Sequence, residues 1–334
     1  MHQKPLVRLV TVGLIVALGG LGEAPVPRAA GQTASTTSVA TASRFIGTWK
    51  LVGIETRNAA AGTVVPPARV TATLPTGYLI YDPAGYVAVS IMPAGRRRNT
   101  GPAVTDDEAK AAIEGYTAYF GTFSVNAAEQ NVTHTLQGSL NPGMGAAQKR
   151  FFEMSGNRLT LKPPPAANGN QTRLTWERIP DLSTLTAEHK KFVGFWKLVS
   201  NERKDDTGKL LASNPGQAGY IIYTPAGFMM VQMVQPNRKA FAAAQPTAAE
   251  AGQALRTYAN YFGPFYIHES DGYVVHDQVG TVNVGRIGPA PQQRFYQFEG
   301  KRLLLRPPPV FTAGAPTVQG TITWEKAERV GGAQ

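Results

Sequence analysis

Two histidines and two arginines stand where acid–base or anion-binding chemistry is possible. His134 lies between Val132 and Leu136 at spacing two, and His276 lies between Val274 and Gln278 in the same way. In an extended chain alternate residues share a face, so each imidazole sits on a largely apolar strand face. Arg150 shares its face with Phe152 and Met154, and Arg294 shares one with Tyr296 and Phe298. A guanidinium keeps its charge on burial and therefore needs a carboxylate or another acceptor. That acceptor is either an internal Glu or the acid group of a ligand, and the sequence leaves both open. Tyr116, Tyr119, Tyr258 and Tyr261 are expected on helices, either closing a cavity mouth or packing a helix onto its sheet. A His and a Tyr in an apolar cavity can move a proton, as an isomerase or cyclase requires. The same groups can also anchor a reversibly bound molecule, or fill a core.

Composition removes most other chemistries. The chain of 334 residues has no Cys, so disulfides, thiol catalysis and zinc fingers are excluded. There is no G-x-S-x-G elbow, phosphate loop, H-E-x-x-H or dinucleotide fingerprint. The five His include no two at ligand spacing, so neither a metal site nor a cofactor is expected. The balance leans away from an enzyme. Net charge is +11, divided evenly with +5 in residues 44–179 and +5 in 190–328. Nucleic acid binding calls for a clustered basic patch, so none is expected. Arg96-Arg97-Arg98 and Arg238-Lys239 read as solvated basic loops or as an anion-steering rim.

The elements that position these residues occur twice. FIGTWKLVGIE at Phe45 recurs as FVGFWKLVSNE at Phe192, and GYLIYDPAGYVAVSIM at Gly77 as GYIIYTPAGFMMVQMV at Gly219. QKRFFEMSGNRLTLKPPP recurs as QQRFYQFEGKRLLLRPPP, and LTWER at Leu174 as ITWEK at Ile322. The offset of about 142 to 148 residues makes this a duplication of a whole domain. Strands are expected near 46–55, 77–82, 86–92, 121–126, 131–138, 148–154, 158–162 and 173–178. Eight short strands separated by turn chemistry predict an all-β fold, a small closed barrel or a sandwich. One helix interrupts each set. Thr105 with Glu108, and Thr247 with Glu250, form capping boxes. Ile113, Tyr116 and Phe120, like Leu255, Tyr258 and Phe262, then follow at helical spacing, and Gly121 and Gly263 are expected to end the helices.

Gly47-Thr-Trp49 and Gly194-Phe-Trp196 each open a first strand and resemble the G-x-W signature of lipocalin-like (calycin) barrels. The ordered series GTWKLV, GYLIYDPAGY, YFGTF, VTH, KRFF and LTWER resembles the bacterial and fungal lipocalin-like domain family, in both copies. The resemblance implies two tandem up-and-down β-barrels, each with a cavity for a small apolar molecule. It also implies that Arg178 and Lys326 stack on the G-x-W tryptophans by cation–π attraction. The readings that follow are a binding module for an apolar ligand with or without a carboxylate, an isomerase or cyclase, and a structural envelope protein with filled barrels.

The N-terminal residues concern the address. Lys4 and Arg8 precede the uncharged run Leu9–Leu21, about 20 Å as a helix, too short for a bilayer core of roughly 30 Å. A basic start, a short apolar core and a small-residue tail predict a secretory signal peptide over 1–30, and hence a periplasmic or secreted protein. The expected division is then a flexible tether at 31–43, a barrel at 44–179, a linker at 180–189 and a barrel at 190–328. No transmembrane segment is expected in the mature chain, and the oligomeric state stays open.

Overall fold

Alternation of apolar side chains becomes antiparallel strand in both repeats. The computed structural model describes residues 36–58, 60–65, 73–101, 103–286, 291–311, 313–314 and 316–331. The expected signal peptide and the start of the expected tether lie outside the described residues. The first repeat contains α1 (Thr36–Ser43), β1 (Gly47–Asn58), β2 (Val64–Val65), β3 (Thr76–Tyr81), β4 (Tyr86–Met92) and α2 (Asp106–Ile113). It continues with β5 (Thr117–Asn126), β6 (Asn131–Ser139), β7 (Ala147–Ser155), β8 (Arg158–Lys162) and β9 (Asn170–Ile179). The second has α3 (Ala187–Phe192), β10 (Gly194–Asp205), β11 (Leu210–Ser213), β12 (Ala218–Tyr223), β13 (Phe228–Val234) and α4 (Ala248–Arg256). There follow β14 (Tyr258–His268), β15 (Tyr273–His276), β16 (Gly280–Thr281), β17 (Gln292–Glu299), β18 (Arg302–Arg306) and β19 (Val318–Lys326).

Each repeat is an up-and-down sheet closed on itself. β1 pairs with both β3 and β9, and β10 with both β12 and β19, so eight strands complete each barrel. β2 and β11 are short flaps on the outer part of β1 and β10. The fold is all-β with two barrels in tandem, as the sequence predicts. The closing register sets Trp49 opposite Arg178 and Leu51 opposite Trp176, and equally Trp196 opposite Lys326 and Leu198 opposite Trp324. Arg178 lies 4.2 Å from the Trp49 ring and Lys326 lies 4.5 Å from the Trp196 ring. The G-x-W glycines make this possible. Gly47 and Gly194 have φ of +138° and +127°, and a Cβ on either would meet the Arg178 guanidinium or the Lys326 side chain.

Three expectations need correction. The helices α2 and α4 end at Ile113 and Arg256, not at Gly121 and Gly263. Gly115, at φ +69°, turns the chain out of α2, and Tyr116 leads straight into β5. Buried Ala118 between Tyr116 and Phe120 carries a period of two that spacings of three and four conceal. The segments read as connectors also contain helix: α1 and α3 deliver Phe45 and Phe192, both fully buried, into their barrels.

The third correction concerns the basic loops. Arg96 donates to the carbonyls of Thr281 and Val282, and Arg238 donates to those of Ser139 and Leu140. Each also bonds a carbonyl near the end of its own repeat's helix, Ala112 or Ala254. Every partner in one set is 142 residues from its counterpart, so the barrels face each other across a local pseudo-two-fold axis. Arg97, Arg98 and Lys239 are exposed, as a solvated loop requires, whereas Arg96 and Arg238 are half-buried structural ties. Around them the outer faces of β3–β5 and β12–β14 share one apolar core, with Tyr78, Ile80, Ala88 and Phe120 against Tyr220, Ile222, Phe228 and Met230.

Candidate functional site

The period of two turns the histidines inward. His134, on β6, is 1% exposed and His276, on β15, is 0% exposed. Tyr81 Oη lies 2.7 Å from His134 Nε2, and Tyr119 Oη lies 2.9 Å from Nδ1. The second barrel repeats this, with Tyr223 Oη at 2.8 Å and Tyr261 Oη at 3.0 Å from the two nitrogens of His276. Each ring is thus bonded at both nitrogens by hydroxyls from two other strands. Burial, and then the charge of Arg150, push His134 down to about 3. Burial, and then Arg294, push His276 well below its usual value. Both imidazoles are neutral near pH 7, so one nitrogen donates and the other accepts. Burial also raises Tyr81 and Tyr223 and holds Tyr119 at about 12, which keeps the phenols protonated.

The arginines complete the cluster. Arg150 Nη1 donates to the Lys149 carbonyl at 2.9 Å, and Nη2 to Gln148 Oε1 at 3.1 Å. Arg294 does the same with the Gln293 carbonyl at 2.7 Å and Gln292 Oε1 at 3.1 Å. Their acceptors are neutral. Among the described residues no Asp or Glu forms an ion pair with either arginine. An internal carboxylate, one of the two partners open at the level of sequence, is therefore not the one found.

A cavity of about 750 Å³ opens in the second barrel, with Tyr261, Gln292, Arg294, Ile221, Ile322 and Trp324 on its walls. The two barrels differ here. Tyr261 is only partly buried, whereas its counterpart Tyr119 is 4% exposed among Leu136, Met144 and Met154. Both barrels carry a second irregularity. The indole N–H groups of Trp176 and Trp324 are buried without a hydrogen-bond partner, while those of Trp49 and Trp196 bond the carbonyls of Phe45 and Phe192 at 2.7 and 2.6 Å.

The tyrosines expected on helices divide into two groups. Tyr119 and Tyr261 lie on β5 and β14 and belong to the His clusters. Tyr116 and Tyr258 belong to the contact between barrels: Tyr116 Oη donates to Asn260 Oδ1 at 2.6 Å, and Tyr258 Oη donates to Gln232 Oε1. Tyr258 also borders the second-barrel cavity, but its hydroxyl is engaged by Gln232. Sequence reasoning missed Tyr81 and Tyr223 as ligands of the histidines. They end the duplicated strands GYLIY and GYIIY, on the inward face with Leu79 and Ile221, which is the signal that marks them. Among the described residues no group of three or more His, Asp or Glu side chains is arranged to hold a metal ion.

The profile of the lipocalin-like domain family matches residues 46–179 and again 193–327, together most of the chain. The chain belongs to the lipocalin-like domain family. Its lipocalin-like barrels are also similar to solved structures. One is a protein of unknown function from Nostoc punctiforme, at 8% identity and TM-score 0.23, with 87% of this chain and 99% of that one covered. A second is a candidate outer membrane protein of Bacteroides fragilis, at 8% identity and TM-score 0.22, covering 85% and 99%. A third is a mutant of transferrin binding protein B from Haemophilus parasuis, at 7% identity and TM-score 0.18, covering 79% and 62%. No curated protein matches the sequence. Lipocalin-like barrels suggest ligand binding in general, and among the described residues no helix is long and apolar enough to cross a membrane.

Proposed function

We propose that this lipocalin-like protein is exported and reversibly binds a small apolar molecule inside its second barrel. The observation that carries the reading is the cavity of about 750 Å³, where apolar side chains such as Ile221, Leu305 and Ile322 share the wall with polar ones such as Arg203, Asn260 and Arg294. Pockets of this size are usual for small-molecule sites, and an eight-stranded barrel is wide enough for one ligand. Export is supported by the Lys4 and Arg8 start followed by the uncharged run Leu9–Leu21. Residues 44–179 and 190–328 are the proposed barrel domains. Native mass spectrometry of the purified full chain, with titration by the neutral dye Nile red, tests binding. A co-purifying mass or saturable dye uptake is expected; neither appearing overturns the reading. Fractionation with N-terminal sequencing tests export, which fails if the uncut chain stays in the cytoplasm.

A second reading rests on the neutral His276 between two phenols, one of which, Tyr261, borders the cavity. Such an arrangement suits proton transfer to or from a bound molecule, as in an isomerase. Deuterium uptake from D₂O into a bound ligand at a carbon position, lost in Tyr261→Phe, separates this reading from simple binding.

A further inference from the structure

The second-barrel cavity holds two donors that the fold leaves without their natural complements. Arg294 donates to a backbone carbonyl and an amide oxygen and forms no ion pair with an Asp or Glu among the described residues. Trp324 is 1% exposed, lines the same cavity, and its N–H has no acceptor. A buried donor without an acceptor costs about 1–3 kcal/mol, so native structures rarely keep one without reason. Here both features recur at the equivalent positions Arg150 and Trp176.

We propose that the second barrel takes an apolar carboxylic acid that bears a second oxygen, its carboxylate on Arg294 and its inner oxygen accepting from the Trp324 indole N–H. The inference rests on the binding role proposed above and names the ligand class for that same cavity. A carboxylate is the complement a guanidinium lacks, because its two oxygens match the planar fork and charge-assisted bonds are about twice as strong as neutral ones. The two donors stand at separate points of the cavity wall. Arg294 and Trp324 stand on β17 and β19 with β18 between them. The pairings Tyr296 with Leu305 and Leu305 with Ile322 put Arg294 about four residues out of register with Trp324. At about 4.8 Å per strand and 3.3 Å per residue, their backbones are on the order of 15 Å apart. A ligand extended along this wall from Arg294 presents a different atom to the indole, a carbonyl or hydroxyl oxygen on the apolar body. The wall between the two donors, including Leu305 and Ile322, suits a hydrocarbon chain.

The full chain, loaded with Nile red, is titrated with decanoate, decanol, decylamine and a set of hydroxydecanoates differing in hydroxyl position. Decanoate is expected to displace the dye at least tenfold more tightly than decanol, with decylamine weakest. At least one hydroxydecanoate is expected to exceed decanoate about fivefold. Arg294→Gln should erase the preference for decanoate over decanol while Nile red still binds, and Arg294→Lys should restore part of it. Trp324→Phe should erase only the gain from the hydroxyl. Equal displacement by decanoate and decanol in the wild type overturns the carboxylate assignment, even if Arg294→Gln does not fold. No hydroxydecanoate exceeding decanoate overturns the role of Trp324. Failure of Nile red itself to bind defeats the general binding role instead, so the two failures are distinguishable.

Discussion

Gln232 of the second barrel donates to the backbone carbonyl of Tyr119 in the first, at 3.0 Å. The same amide donates to the Val89 carbonyl at 3.1 Å and accepts from the Tyr258 hydroxyl. Tyr119 in turn holds His134 inside its own barrel. One fully buried side chain thus links the contact between barrels to the wall of a His cluster. Gln232→Leu removes this amide and strands two carbonyls and a phenol. A loss of about 2–4 kcal/mol in chemical denaturation is expected, since each buried orphan costs about 1–3 kcal/mol and partial relaxation recovers some of it.

Arg96 and Arg238 tie the barrels in opposite directions, so each should be needed for cooperative unfolding. Arg96→Met leaves the carbonyls of Thr281, Val282 and Ala112 without their donor. The wild type should show one transition in guanidinium chloride by circular dichroism and tryptophan fluorescence. In Arg96→Met the midpoint should fall by the equivalent of about 2–4 kcal/mol, and the two probes should cease to coincide.

Stability should fall on acidification before most carboxylates titrate. The folded-state values of His134 and His276 are depressed below about 6.5, so the unfolded chain binds protons first as pH drops. Their contribution is fully present above pH 6.5 and is lost as pH falls toward about 3 for His134. In the window from about pH 6 to 4.5 the slope should reach about 1.4 kcal/mol per pH unit for each His. His134→Gln, which can still bond two hydroxyls, should flatten that slope; an unchanged pH dependence of the melting temperature would refute the assignment.

Gly47 should tolerate no side chain. Its φ of +138° is strained for any other residue, and a Cβ there collides with the Arg178 guanidinium. Gly47→Ala is expected to cost about 2–4 kcal/mol and to alter the fluorescence of Trp49, which loses its stacked cation. Gly194→Ala should cost less, because the tip of Lys326 moves more easily than a planar guanidinium held by two carbonyls.

The barrel strands were legible because their inward residues alternate and their turns carry Pro and Gly. The capping boxes at Thr105 and Thr247 also marked the helix starts correctly. What escaped was the second surface. GYLIY and YVAVSIM are apolar at nearly every position, and that is the mark of a strand buried on both faces. Tyr78, Ile80 and Ala88 face the other barrel while Leu79, Tyr81 and Val89 face the interior. Sequence periodicity sees one chain at a time and cannot say that the outer face meets a copy of itself. The same blindness misplaced Tyr116, whose spacing from Ile113 imitates a helix although its hydroxyl serves Asn260. Arg150 and Arg294 were legible as inward charges, but their neutral partners Gln148 and Gln292 lie only two residues away and gave no distinct signal.

The pseudo-two-fold contact is symmetric in its arginines and unsymmetric at its centre. Where the second barrel presents Gln232 and Asn260, the first has Ser90 and Ala118 at the matching places, and Asn260 Nδ2 reaches Ser90 Oγ at 3.0 Å. Two identical barrels meeting on such an axis would set amide against amide with no smaller neighbour to receive either. Joining the copies in one polypeptide removes that constraint, because each half can be shaped as lock or key alone. It also makes their pairing independent of concentration: the partner is always present, at the density that the linker between them imposes.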